Sequence, residues 1–167
     1  FCYFGCPWFI GSMQGNGATD GNWGAFTGPT SYHWGGTYVC VGKDTNNPEL
    51  AAFLLYELTC DPDVGVEITN QTGDCVNNKE ANARLIAGEL SADNAAAKFL
   101  GGQNPIEVWA ASAEGINLSN LTYQDASIKA FIDEASTAYN SGTYKSVDEA
   151  IKYIQDKCAS ELGISAE

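Results

Sequence analysis

The sequence predicts an α/β chain, mostly helical with a few short strands, and two contrasts along it carry that prediction. Up to about Val41 the residues are glycine-rich and aromatic, with β-favouring runs set between glycine-bearing turns. From Asn46 onward apolar residues recur at helical spacing, and the segments open on capping signals.

In chain order, FCYF (1–4) and TYVCV (37–41) read as short strands, and WGAF (23–26) as a further one. The helices then begin with one repeated device. At Asn47-Pro48, Asp61-Pro62 and Asn104-Pro105 an Asx side chain stands ready to accept from orphan backbone N–H groups, and proline fits the first helical position because its missing N–H is not needed there. The first of these helices carries Leu50, Ala51, Phe53, Leu54, Leu55 and Leu58, apolar on more than one face, which predicts that it is largely buried. NNKEANARLIAGEL continues as a helix, and SADNAAAKFL as a shorter one stopped by Gly101 and Gly102. Trp109 falls within a helical pattern and reads as core. Ile128, Phe131, Ile132, Ala135 and Tyr139 mark the next helix, closed by NSG. The last opens on Ser146 and Glu149 as a capping box and lines Val147, Ala150, Ile151, Ile154 and Cys158 on one stripe. No internal repeat or low-complexity linker divides the chain, so residues 1–167 read as a single unit.

The charge balance excludes several partners. Twenty-one acidic residues against eight basic ones give a formal net charge of −13, which repels phosphate backbones and anionic membrane surfaces. Nucleic acid is excluded on that ground. The only arginine is Arg84, and bidentate recognition of carboxylate, sulfate or phosphate usually calls on arginine, so a neutral ligand is favoured. No apolar run reaches the roughly 18 residues of a membrane span. The opening FCYFGCPWFI reads as the middle of a strand, which leads us to expect residues upstream.

Six cysteines stand at positions 2, 6, 40, 60, 75 and 158. Cys40 and Cys158 read as small buried hydrophobes, while Cys60 and Cys75 bracket a loop, and the sequence leaves open whether they pair. No C-x2-C pair accompanies the single histidine, His33, so neither zinc nor any other metal or cofactor is expected.

Nucleophilic catalysis would have to use His33, and no G-x-S-x-G elbow, G-x-G-x-x-G or P-loop pattern is present. A converging carboxylate pair is the remaining enzymatic route, and an enzyme is not the expectation. The aromatic loops say more. CPWFI puts Trp8 at the end of an apparent strand, and SYHWGGTYVCV runs Tyr32, His33 and Trp34 into Gly35 and Gly36 at the start of another. An indole offers a flat apolar face with a polar N–H at its rim, suited to the apolar face and hydroxyl edge of a sugar ring. Glycines after it would let a ligand reach the backbone, although Trp-Gly-Gly is equally a way to turn a tight corner over a core. Tyr123 and Gln124 precede a helix, Asp125 standing ready to cap it, and Tyr123 is either a third ring facing a cleft or a surface aromatic closing a loop. Trp23 has no distinguishing context. The sequons at Asn70, Asn117 and Asn120 bear on a secreted eukaryotic protein only.

Taken in order, FCYFGCPWFI, GPTSYHWGGTYVCVGKDTNNPELAAFLLYELTCDP and YNSGTYKSVDEAIKYIQDKC resemble the C-terminal part of bacterial extracellular solute-binding proteins of sugar ABC transporters, the group that includes maltose-binding protein. The resemblance implies the C-terminal portion of a two-lobed type II periplasmic-binding-protein fold, contributing to both lobes and completed by a missing N-terminal part. It further implies a non-enzymatic, exported component, lipid-anchored on the extracellular face of the membrane or free in the periplasm. Such a component captures a neutral mono- or oligosaccharide by lobe closure and presents it to the transporter's membrane subunits. Trp8 then matches a tryptophan that stacks on sugar, Trp34, Gly35 and Gly36 a loop that lines the site, and Tyr123 and Gln124 a further contact. Tyr32 joins them as part of the same aromatic run. Two readings from other classes stand beside this one: a fragment of a glycoside-processing enzyme, and a surface carbohydrate-adhesion domain.

Overall fold

A helix starts where something answers its first free N–H groups. In a computed structural model that describes residues 2–119 and 121–164, the three Asx-proline pairs all stand at helix starts. They open α2 (Pro48–Thr59), α3 (Pro62–Thr72) and α6 (Pro105–Glu114), while α1 (Phe9–Gly15) follows Trp8, and α4 (Lys79–Arg84) and α5 (Ala95–Phe99) lie between α3 and α6. Asp61 accepts from the N–H groups of Asp63 and Val64 at 2.9 and 3.0 Å, and Asn104 from that of Ile106 at 3.0 Å. Asn47 holds the cap position without a side-chain cap bond.

The α/β expectation, and with it the two-lobed periplasmic-binding architecture, is overturned: every element is helical, and no strand occurs among the described residues. Residues 2–4, 23–26 and 37–41 are irregular, and Phe1 and the sequon residue Asn120 lie outside the described residues. The reason is pairing. A strand's N–H and C=O groups must be answered by a neighbouring strand, and TYVCV is instead exposed throughout, Tyr38 almost completely so. Cys40, expected inside, is therefore exposed as well. The same shortage of partners corrects the reading of α2, where Leu50, Phe53, Leu54, Tyr56 and Leu58 are each about half exposed and no residue is buried. Apolar composition expresses a demand for burial, and α2, which packs on α3, meets it only in part.

Contacts divide the chain into two units, Phe1–Asn117 and Leu118–Glu167. In the first, Val66, Ala81, Leu85 and Ile106 form a buried cluster, with Val76, Leu90 and Trp109 packed against it. Trp109 thus lies where its helical pattern puts it. Gly65 permits the close approach of α3 to α4, since a Cβ there would lie 3.0 Å from that of Ala81. Beyond α4 the chain continues through a π-helical turn, Leu85–Glu89, and stops at Gly88, whose φ of +124° is open to glycine but strained for other residues.

Three asparagines hold these helices end to end. Each accepts at its own helix start and donates its amide N–H to a carbonyl near the end of the helix two places earlier. Asn78 caps α4 through Ala81 N–H at 3.0 Å and donates to Cys60 O, at the end of α2, at 2.8 Å. Asn94 caps α5 through Ala97 N–H at 3.0 Å and donates to Thr69 O, in the last turn of α3, at 2.9 Å. Asn104 donates to Leu85 O, in the turn that follows α4, at 3.1 Å. Asn70 adds a cross-tie of the same kind, donating to Glu89 O at 3.0 Å and accepting from Ser91 N–H at 2.7 Å. Arg84 clamps the outside, its guanidinium 2.6 Å from Asp63 and 2.8 Å from Glu89.

In the second unit, α7 (Asp125–Asn140) and α8 (Val147–Leu162) pack on each other and bury Phe131, Ala135 and Ala150. Ser146 accepts from Glu149 N–H at 3.2 Å, while the Glu149 carboxylate reaches one residue further back, to Lys145 N–H at 2.7 Å. The capping-box pair is therefore used, with its return bond displaced by one residue. Lys157 lies 5.5 Å from the centre of the Phe131 ring.

Asn94 is almost wholly buried, and its two bonds have no substitute from solvent. Asn94→Ala is expected to lower the stability of the first unit by about 2 kcal/mol, from a lost cap and a weakened buried acceptor. Thr69→Val should move the other way, by up to about 1 kcal/mol, because the buried Thr69 hydroxyl has no hydrogen-bond partner. Urea titration of both variants by circular dichroism checks the pair of signs.

Candidate aromatic site

Aromatic side chains on an irregular segment are held in place only if something rigid anchors them. Here the anchor is Phe99 of α5, 1% exposed. Trp23 stacks on it with ring centres 6.0 Å apart and planes 9° from parallel. From Trp23 the contacts run on through Tyr3 at 6.2 Å, Phe9 at 6.0 Å, Trp8 at 6.3 Å, Trp34 at 6.3 Å and Tyr32 at 6.4 Å. Each step falls in the range where aromatic pairs attract beyond simple area burial. The relay thus carries the rigidity of the core out to the half-exposed rings of Trp8, Trp34 and Tyr32.

Hydrogen bonds fix the loops that bear these rings. Gln103 accepts from Ala25 N–H at 2.8 Å and donates to Ala25 O at 2.7 Å, and Gly21 N–H donates to Phe99 O at 2.9 Å. Ser31, just before Tyr32, rests against the end of α6 because the residue there is Gly115. A Cβ at that position would lie 2.5 Å from the Ser31 hydroxyl.

Trp8 and Trp34 meet edge to face, with planes at 90°, and Tyr32 leans on Trp34 at 53°. The result is a right-angled corner of two half-exposed indoles. Gly35 has φ +68°, a conformation open to glycine, and the space where its Cβ would be is open. Gly36 lies beside His33, its Cβ position 3.8 Å from Nε2. Tyr32, Trp34, Gly35, Gly36 and Trp8 thus belong to one unit. Tyr123 and Gln124 belong to the other, where Tyr123 is almost fully exposed and the Gln124 amide donates to Leu162 O at 3.3 Å. Asp125, expected to cap α7, instead accepts from the Thr122 hydroxyl at 2.7 Å.

Sequence reasoning missed Trp23, the ring that ties the relay to the core. Its one signal was a tryptophan between glycine-bearing turns, in GNWGAF, too common a pattern to assign. Tyr3, Phe9, Met13 and Trp23 also wall a cavity of about 400 Å³.

The electrostatics around the corner disfavour negative charge. Burial raises the Cys6 thiol pKa, a hydrogen bond with Trp8 acts against this, and the Asp74 carboxylate raises it further. Burial, followed by the neighbouring Cys6, raises the Tyr32 hydroxyl. Burial and then Asp74 push Cys75 up to about 11, against an opposing hydrogen bond with Asn82. The single arginine is already held by Asp63 and Glu89. Among the described residues no helix is long and apolar enough to cross a membrane. Compared with known proteins, the chain matches no family model, no curated protein and no solved structure.

Cys75 therefore stays a thiol at pH 8, while Cys2, Cys40 and Cys60 are exposed. Limited treatment with iodoacetamide at pH 8, read by peptide mass spectrometry, is expected to label those three well before Cys75. Equal labelling of Cys75 would contradict its placement.

Proposed function

We propose that this chain is a carbohydrate-capturing part of the binding component of an ABC importer, taking a neutral mono- or oligosaccharide without breaking a bond. The observation that carries the reading is the right-angled corner of Trp8 and Trp34, with Tyr32 beside it. Two half-exposed indoles at 90° offer one ring face to stack on a pyranose and a second wall to fix its orientation. Stacking of this kind is sequence-tolerant, apolar and uncharged, which agrees with a net charge of −13 and an arginine already held in ion pairs. The importer assignment rests on the ordered sequence resemblance. It places the chain outside the cytoplasmic membrane, lipid-anchored or periplasmic, with the transporter's membrane subunits and the remainder of the same protein as partners. Lobe closure has no part in this proposal, because it requires the α/β lobes that the fold lacks.

A tryptophan-fluorescence titration against glucose, galactose, maltotriose, cellotriose and xylotriose tests the reading. Saturable binding of at least one sugar, without product, is expected. Trp8→Ala and Trp34→Ala should each weaken it by about 1–3 kcal/mol, the scale of a lost aromatic stack. Undiminished affinity in both variants would remove the corner as the site.

A further inference from the structure

Trp8 also borders a half-open cleft of about 240 Å³, formed where α1 and the residues before it face the loop after α3 and the start of α5. Among the described residues, the polar side chains along this cleft are Gln14, Thr72 and Asp74, and no Lys, Arg or His lines it. Their existing bonds decide what they can still do. The Thr72 hydroxyl donates to Ile68 O at 2.8 Å and accepts from Asp74 N–H at 3.2 Å, so it is committed to the turn. Asp74 uses one oxygen to accept from Cys75 N–H at 2.8 Å, which fixes the carboxylate and leaves its other oxygen to accept. Gln14 donates one amide N–H to Asp20 at 3.2 Å and keeps its carbonyl and its other N–H.

A ligand for this cleft must therefore bring hydrogen-bond donors to a carboxylate and an apolar face to an indole, and it must not carry negative charge. A neutral pyranose meets all three demands, with its hydroxyls as donors and its C–H face against the indole. We infer that the cleft is a hydroxyl-reading subsite in which Asp74 accepts, and Gln14 both donates and accepts, from one sugar unit lying against Trp8. This inference rests on the carbohydrate reading of the Trp8 corner and adds to it the residues that choose among sugars. Because Trp8 is shared by corner and cleft, a ligand of two or more units can occupy both. Oligosaccharides are then preferred to their monomers, and sugars carrying a carboxylate are rejected by Asp74.

The test uses the whole 167-residue chain and compares maltotriose, cellotriose and xylotriose with glucose, xylose and glucuronic acid by isothermal titration. Asp74→Asn keeps an acceptor for Cys75 N–H and so preserves the turn, and Gln14→Ala provides a second variant on another element. The bound trisaccharide is expected to lose about tenfold in affinity in Asp74→Asn, the scale of one hydrogen bond to a charged group. Gln14→Ala should lose a smaller factor, and glucuronic acid should bind Asp74→Asn better than the wild type. Loss of binding in Trp8→Ala and Trp34→Ala with wild-type affinity in both Asp74→Asn and Gln14→Ala would overturn the subsite and leave the corner standing. Wild-type binding of glucuronic acid as tight as that of the neutral sugars would also overturn the subsite. Binding of no sugar on the panel would overturn corner and subsite together.

Discussion

Asn78, Asn94 and Asn104 each hold two helix ends at once, and the arrangement of α3 through α6 depends on it. A helix leaves its first N–H groups and its last carbonyls without partners, and short helices have a large share of both. One carboxamide carries an acceptor and donors on the same rigid plane, so it can close a start and an end together. The interleaved order, α2 to α4, α3 to α5 and α4 to α6, means that no one of these helices can leave without breaking a clip to another. Asparagine rather than aspartate is required for this, because aspartate can cap but has no N–H to give. Asp61, which caps α3 and reaches no earlier helix end, shows the difference.

The aromatic relay builds on that frame. Phe99 is buried because α5 is clipped between Thr69 and its own start, and Trp23 stacks on Phe99. The later rings, out to the Trp8 and Trp34 corner, are linked to that contact ring by ring, and the packing of α1 on α5 and of Ser31 against Gly115 anchors them as well. Among the described residues up to 40, few backbone hydrogen bonds reach the later helices, and ring packing, the contact of α1 with α5 and the Gln103 and Gly21 bonds tie this stretch to them. The arrangement is buried at its root, at Phe99, and half-exposed at its tip, at Trp8 and Trp34.

Helix starts were legible in the sequence because the cap and the first turn are local chemistry. Asp61, Asn104 and Ser146 all act through residues two or three positions away, and each is used in the structure. Asn78 and Asn94 escaped notice because neither precedes a proline, and half of what each does depends on a carbonyl 18 or 25 residues away. Strands failed for the complementary reason. Tyr38, Val39 and Val41 have the side chains of a strand, but a strand is a property of a pair, and the described residues supply no partner. For α2 the hydrophobic pattern was right and the inference of burial was not, since Leu50, Phe53 and Leu54 remain about half exposed. At the site, the aromatic run from Tyr32 to Trp34 and the distant Trp8 were legible as residue types of the right chemistry. Their meeting at 90° was not, because it depends on contacts between residues far apart in sequence, among them Trp23 with Phe99, α1 with α5 and Ser31 with Gly115.

The asparagine clips make a definite claim about where stability resides, and native-state hydrogen exchange reads it amide by amide. The N–H groups of Ala81, Ala97 and Ile106, which donate to the clip side chains, should exchange only with unfolding of the whole first unit. Those in the middle of α2, whose apolar face is exposed, should exchange much faster by local opening. Equal protection of α2 and the three clipped amides, or exchange of the clipped amides at loop rates, would contradict the account.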